Sequence, residues 1–300
     1  MPDPGPESGR PPAAVGFIGL GRMGQPMARN LVAGGVAVYG HDPAPDPRRA
    51  LADVITHRDS PAEVAADAST VILMLPDSNV VESVVRGGLL DAMRPGSLLV
   101  DMSSSEPLRT QGMAREVAAR DVTLVDAPVS GGVSGARAAT LAVMVGGPDE
   151  AVASLVPLLS LIGRVRHVGE VGAGHALKAL NNVMSAAHLL ASSEALLAGQ
   201  RFGLDPAVML EVINGSSGRS GSTQNKWPNY VLPETYDAGF AIGLMVKDIR
   251  IALALAEATG TPSELTKRTV QLWGQAADQL GADADHTEIV RWLRTERSGP

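Results

Sequence analysis

The sequence predicts an α/β protein: a doubly wound sheet domain, then an all-helical domain, the two joined by a long helix. Three observations predict it. From Val15 to Val168 short apolar runs alternate with amphipathic segments, the pattern of parallel strands connected by helices. After Gly172 the strand pattern gives way to helical runs. Between the two lies a run rich in Ala, Leu and Met, from Gly172 to Arg201, that no proline interrupts. It reads as one helix, and at 1.5 Å per residue it spans roughly 40 Å. Three segments follow: a disordered Pro- and Gly-rich tail over residues 1–12, a sheet domain over 13–170 and a helical domain over 171–300.

Composition narrows the class. With 25 Lys+Arg against 32 Asp+Glu the formal charge is −7, which argues against nucleic acid or an anionic membrane as the main partner. There is no cysteine, so disulfides and cysteine-based metal sites or nucleophiles are excluded. The longest helical run is broken by Lys178, Asn181, Asn182, His188 and Glu194, so no transmembrane span is expected. The six histidines are scattered without metal-ligand spacing, and no metal site is expected. The tail lacks the apolar core of a targeting peptide, and a cytoplasmic location is expected.

The first strand begins at Val15 and runs into Gly19-Leu20-Gly21-Arg22-Met23-Gly24, with a helix from Gln25 to Ala33 behind it. This is a G-x-G-x-x-G turn in the strand–turn–helix setting of a Rossmann-type dinucleotide site. Gly19 permits the tight turn, Gly21 lets backbone approach a pyrophosphate, and Gly24 lets the helix pack on the strand. The helix N-terminus offers N–H groups to the phosphates. The second strand, Val36–His41, ends at Asp42, 23 residues after Gly19, where a carboxylate can hold the ribose hydroxyls of NAD. The alternative is a plain turn acid before Pro43. Arg48 and Arg49 follow at a distance and keep NADP possible.

Further strands are expected at Val71–Leu75, Ser97–Asp101, Thr123–Asp126, Leu141–Gly146 and Arg164–Val168, with helices around 79–86, 108–119 and 149–160. Ligands gather at the carboxyl ends of such strands, where Leu75, Pro76, Ser103 and Ser104 stand. So does the loop Asp126-Ala-Pro-Val-Ser130-Gly131-Gly132. Successive glycines can aim several N–H groups at one point and form an anion nest, with the Ser130 hydroxyl as a further donor; an ordinary turn is the alternative. On the long helix, Lys178 and Asn182 are four apart and share one face. They read either as a surface lysine and a packing asparagine, or as a proton-transfer group and a substrate anchor. Beyond it, Asp205-Pro206 marks a helix start, 214–221 a polar loop, and 244–259, 262–280 and 286–295 three more helices.

Together these motifs resemble the β-hydroxyacid dehydrogenases, in the branch of 3-hydroxyisobutyrate dehydrogenase, from Val15 to about Leu293. The resemblance rests on Gly19–Gly24, Asp126–Gly132, Gly172-x-Gly-x-x-x-Lys178-x-x-x-Asn182 and Lys247-Asp248, in that order; Ser216–Ser220 is also similar. It implies hydride transfer between NAD, or NADP, and the hydroxyl carbon of a small β-hydroxy acid. It implies that Ser130, Gly131 and Gly132 hold the substrate carboxylate, that Lys178 is the acid–base group, and that Asn182 positions substrate. Leu75, Pro76, Ser104 and Lys247 would lie by the cofactor, and the helical domain would build a homodimer or homotetramer. A free lysine is mostly protonated at neutral pH, so service as a base needs burial or a neighbouring positive charge. The departures are Met102, where relatives often carry serine, Gly40 inside a strand, and a poor match over 221–236. Imine reductases are similar in both domains, but usually lack the lysine and prefer NADP. A non-catalytic cofactor-binding regulatory protein is the other alternative.

Overall fold

The computed structural model describes residues 9–295, so the tail expected over residues 1–12 falls mostly outside them. The chain divides into two compact units, Met1–Lys178 and Ala179–Pro300. The first is built on a nine-stranded sheet. Its elements are β1 (Ala14–Ile18), α1 (Gly24–Ala33), β2 (Ala37–His41), α2 (Pro45–Ala50), β3 (Thr56–His57), α3 (Pro61–Asp67), β4 (Thr70–Leu73), α4 (Ser78–Val84) and α5 (Leu90–Ala92). Then come β5 (Leu98–Asp101), α6 (Pro107–Ala118), β6 (Thr123–Asp126), β7 (Val129–Ser130), α7 (Gly132–Arg137), β8 (Leu141–Gly146), α8 (Asp149–Leu159) and β9 (Gly163–Gly169).

Strands β3-β2-β1-β4-β5-β6 are parallel and neighbours in that order. The chain winds outward from β1 in one direction, then resumes beside β1 with β4 and winds the other way. The crevice outside the carboxyl ends of β1 and β4 is therefore the switch point where ligands bind in such sheets. Both sheet faces are covered: Val15 and Phe17 of β1 pack with Met27, Leu31 and Leu158, whereas Ile18 packs with Leu73, Val85 and Val117. Burial on both faces is why these strands are short continuous apolar runs.

The far edge departs from the parallel expectation. Strand β8 runs antiparallel to β6 and β7, and β9 then runs parallel to β8. Residues 131–140 are too few for the crossover of about a dozen or more residues that a parallel partner needs. Strands β3 and β7 have two residues each, too short for a periodic signal. Residues 45–50 form helix α2, which is not among the elements expected from sequence. Gly40 has a packing cause: a Cβ there would strike Ile55, and Leu20 stands 3.1 Å away. Met102 is buried in the core that Phe17 and Met27 share.

Helix α9 (Ala173–Phe202) is continuous for 30 residues. The second unit adds α10 (Pro206–Asn214), a stretch of wide π-type turns over Ser222–Val231, α11 (Ile242–Ala258), α12 (Glu264–Leu280) and α13 (Ile289–Thr295). The loop expected over 214–221 lies between α10 and the π-type stretch. Trp227 and Trp273 fill this core with Leu189, Ile242, Ile249 and Ile289. Both indoles find acceptors, Trp227 on Ser193 Oγ at 3.2 Å and Trp273 on the Ala186 carbonyl at 3.4 Å. Asp285 ties the start of the closing helical turn to the loop before α11, accepting from the Gly239 and Thr287 N–H groups at 2.7 and 2.9 Å. Burial alone would raise its pKa, but hydrogen bonds with His286 and Thr287 hold the carboxyl well below the usual range.

Two glycines of the first turn separate by substitution. A Cβ on Gly24 would run into the Gly19 carbonyl, with Phe17 at 3.1 Å, whereas one on Gly21 meets nothing within 4 Å. Gly24→Ala is expected to lose about 1–3 kcal/mol of stability through overpacking. Gly21→Ala is expected to stay within about 0.5 kcal/mol of the parent. Denaturant melts of the two variants measure the difference.

Candidate active site

The glycine turn closes the carboxyl end of β1. Gly19 adopts φ +94°, and its N–H donates to the His41 carbonyl at 3.0 Å. Gly24 opens α1 against that turn, and Gly21 presents a bare exposed backbone. Leu20 is buried beneath it, Arg22 is exposed and Met23 half-buried. Asp42 is buried beside the turn: its Oδ2 accepts from the Leu20 N–H and its Oδ1 from the Ala44 N–H, both at 2.8 Å. The carboxylate that sequence places at the ribose is thus fixed by the turn itself. Arg48 is paired with Asp59 at 2.7 Å and Arg49 with Asp46, so α2 directs both arginines to acids of their own neighbourhood.

The carboxyl ends of β4, β5 and β6 carry a buried polar network that sequence reasoning missed. The Leu75 N–H donates to Ser103 Oγ at 2.9 Å. Asp101 accepts from the Ser103 N–H at 2.9 Å and from Ser105 Oγ at 2.7 Å. Asp126, opposite Asp101 in register, accepts from the Gly172 N–H at 2.6 Å and the His175 N–H at 2.8 Å. It thereby ties the end of β6 to the first turn of α9. Burial pushes the Asp126 carboxyl up in pKa, while His175 and the two N–H groups pull it back. His175 is buried between the acids, Nε2 at 3.7 Å from Asp101 and Nδ1 at 3.8 Å from Asp126, and its Nδ1 shares a 2.8 Å hydrogen bond with Thr110. The Thr110 hydroxyl donates to the Glu106 carbonyl, so the imidazole is the donor toward Thr110. Leu75 is half-buried, Pro76 exposed and Ser104 half-buried on this rim.

Glycines explain how close these parts lie. Gly172 has φ +94°. A Cβ on Gly174 would run into the Met144 carbonyl and stand 2.8 Å from Asp126, and one on Gly146 would stand 2.6 Å from Asp126. At positions 146 and 174 only bare backbone fits beside this carboxylate. Next along the chain from β6, Ser130 is half-buried at the end of β7, and Gly131 and Gly132 are exposed with φ +135° and +63°. Those angles favour glycine at both positions.

On α9, Lys178 is half-buried and Asn182 buried one turn later. In the second unit Asn182 Nδ2 donates to Asp248 Oδ2 at 2.6 Å, and Lys247 Nζ lies 3.1 Å from Asp248 Oδ1. The Lys247-Asp248 pair of the sequence is therefore divided in role: the aspartate is buried and orients the amide, and the lysine neutralises it. Among the described residues no cluster of three or more His, Asp or Glu could hold a metal, and no helix is long and apolar enough to cross a membrane.

The chain is similar to known proteins along nearly its whole length. Residues 14–172 match the family model for the NAD binding domain of 6-phosphogluconate dehydrogenase. Residues 172–293 match the model for the NAD-binding region of NADP-dependent 3-hydroxyisobutyrate dehydrogenase. The chain is 38% identical to 2-(hydroxymethyl)glutarate dehydrogenase of Eubacterium barkeri, over 93% of this chain and 94% of that protein. It is 40% identical to 3-hydroxyisobutyrate dehydrogenase of Pseudomonas aeruginosa, over 91% and 94%. Among solved structures, 3-hydroxyisobutyrate dehydrogenase of Mycobacterium tuberculosis with L-serine is 33% identical, with a TM-score of 0.89, covering 94% of this chain and 99% of that one. With an exposed glycine turn fixed to a strand-end acid, and with two family models and relatives covering nearly its full length, the chain belongs to the β-hydroxyacid dehydrogenase family, NAD(P)-dependent oxidoreductases that act on a CH–OH group.

Proposed function

We propose that this chain oxidises the hydroxymethyl carbon of a small β-hydroxy acid of the 3-hydroxyisobutyrate type, with NAD as the preferred acceptor and Lys178 as the acid–base group. The observation that carries this is the first turn of α9, fixed on Asp126 by the Gly172 and His175 N–H groups, with Lys178 three residues beyond His175. A proton-transfer group must be held in place, and here the backbone under it is.

NAD(P), when bound, supplies the hydride acceptor. The chain would hold it through the Gly19–Gly24 turn, the rim at Leu75, Pro76 and Ser104, and Lys247. In oxidation Lys178 takes the hydroxyl proton, and in reduction it returns one to the developing alkoxide. Ser130 and the Gly131 and Gly132 peptides hold the carboxylate of the substrate. Asn182, its amide oriented by Asp248, positions the substrate hydroxyl. Asp42 supports NAD over NADP. Its charge would repel a 2′-phosphate, and Arg48 and Arg49 are engaged with Asp59 and Asp46.

A homodimer or homotetramer, acting in the cytoplasm, completes the proposal. Exposed apolar side chains at Met184 and Phe202 of α9 and Val208 and Val212 of α10 support self-association.

Two variants test the roles. Lys178→Ala is expected to lower kcat about 10²–10⁴-fold while leaving NAD affinity within a few-fold. Retained kcat would remove the acid–base assignment, and turnover of a cyclic imine by the parent enzyme would favour imine reduction instead. Asp42→Ala is expected to shift the ratio of kcat/KM for NAD to that for NADP by at least about tenfold toward NADP, the loss of one charged hydrogen bond of about 1.5–3 kcal/mol. A parent enzyme faster with NADP contradicts the cofactor assignment.

A further inference from the structure

His175 is buried, yet only one of its ring nitrogens is paired. Nδ1 donates to Thr110 Oγ1 at 2.8 Å, whereas Nε2 has no hydrogen-bond partner and lies 3.7 Å from Asp101. An apolar side chain would fill this space without leaving a buried nitrogen unpaired. Filling space does not call for an imidazole; the single bond to Thr110 does. That bond joins two elements. Thr110 belongs to α6, whose Met113 and Val117 are buried in one core with Ile18 and Leu73 of the sheet. Its hydroxyl is itself set by the Glu106 carbonyl at 3.1 Å. His175 belongs to the first turn of α9, three residues before Lys178, and residues three apart are neighbours on a helix surface. The ring therefore ties the side of α9 that carries Lys178 to a helix packed on the sheet.

Asp126 does not supply that tie. Its two bonds go to backbone N–H groups, within about 2.3 Å of the helix axis, and both end on one carboxylate. They fix where the helix starts and which way its axis leaves, but they hold its rotation on a short arm. Side chains reach about 5–6 Å from the axis. Half an ångström of play at the backbone thus grows to about 1 Å or more at the end of the Lys178 side chain. A misplacement of about 1 Å can cost on the order of 10²-fold in rate. The His175 ring lies outside the backbone cylinder, so its bond to Thr110 restrains rotation on a longer arm.

We infer that His175 is a positioning residue: through Thr110 it sets the rotation of the first turn of α9, and with it the place of the Lys178 amine. This rests on the acid–base role proposed above for Lys178. His175→Leu is expected to lower kcat at least about tenfold while KM for NAD stays within about twofold. His175→Asn is expected to recover most of the loss and His175→Gln little of it, because the asparagine Nδ2 stands in the place of the imidazole Nδ1 and the glutamine Nε2 in that of the unpaired Nε2. Both variants are polar, so this comparison stands even where the leucine variant fails to fold. Where Lys178→Ala loses activity, a parental kcat in His175→Leu, or equal losses in the asparagine and glutamine variants, overturns the inference. NMR of protein labelled with ε-13C lysine separates the position of the amine from the reaction. The chain has four lysines, Lys178, Lys226, Lys247 and Lys267, and the Lys178 signal is the one lost in Lys178→Arg. Thr110→Val removes the acceptor and leaves the imidazole in place. A Lys178 signal shifted or broadened in Thr110→Val at unchanged Tm, with the other three unmoved, supports the inference even where Lys178→Ala keeps its kcat, the result that removes the acid–base reading. An unmoved Lys178 signal overturns it.

Discussion

The Asp126 carboxylate is the constraint on which the rest of the site depends. It is fully buried, and an isolated carboxylate there would cost several kcal/mol. It persists because two N–H groups of the α9 start point at it, each worth about 1.5–3 kcal/mol to a charged acceptor. The helix N-terminus adds a favourable field of up to about 2 kcal/mol. Glycines at 146, 172 and 174 are the consequence, since side chains at these positions would push the peptides off the carboxylate or force a strained φ. The direction in which α9 leaves β9, and with it the turn bearing Lys178, is set at this one point.

Around it the first unit layers further support. Asp101 receives Ser103 and Ser105, and Ser103 in turn receives the Leu75 N–H, so the rims of β4 and β5 are joined by a chain of hydrogen bonds. His175 fills the space between the two acids, and Thr110 orients it. The second unit applies the same device once more, with buried Asp248 orienting Asn182 and neutralised by Lys247. In both units a buried acid fixes the donors beside it, Asp126 the Gly172 and His175 N–H groups and Asp248 the Asn182 amide.

Much of the fold was legible in the sequence, because strand burial on both faces leaves short apolar runs and α9 lacks any proline. The three glycines at 19, 21 and 24 carry three different demands, and each is visible as geometry: a positive φ, a bare face and a close helix start. The acid at 42 was legible by its distance from them, although its contacts with Leu20 and Ala44 were not. The buried network was hidden for a physical reason. Aspartate and serine at strand ends look like turn residues, and their partners lie far away in sequence: Gly172 and His175 for Asp126, Ser103 for Leu75. The antiparallel edge at β8 was hidden because an apolar run does not disclose its direction.

Hydrogen exchange of the parent and of Asp126→Asn tests the central claim most directly. The amide can accept through one oxygen only, and its NH2 would face the other N–H group. Accelerated exchange in residues 172–178, with the remainder of α9 and the strands β1 and β4 keeping their protection, is the result this account predicts. Unchanged protection in the first turn of α9 would contradict it, because the turn carrying Lys178 would then be held by something other than Asp126.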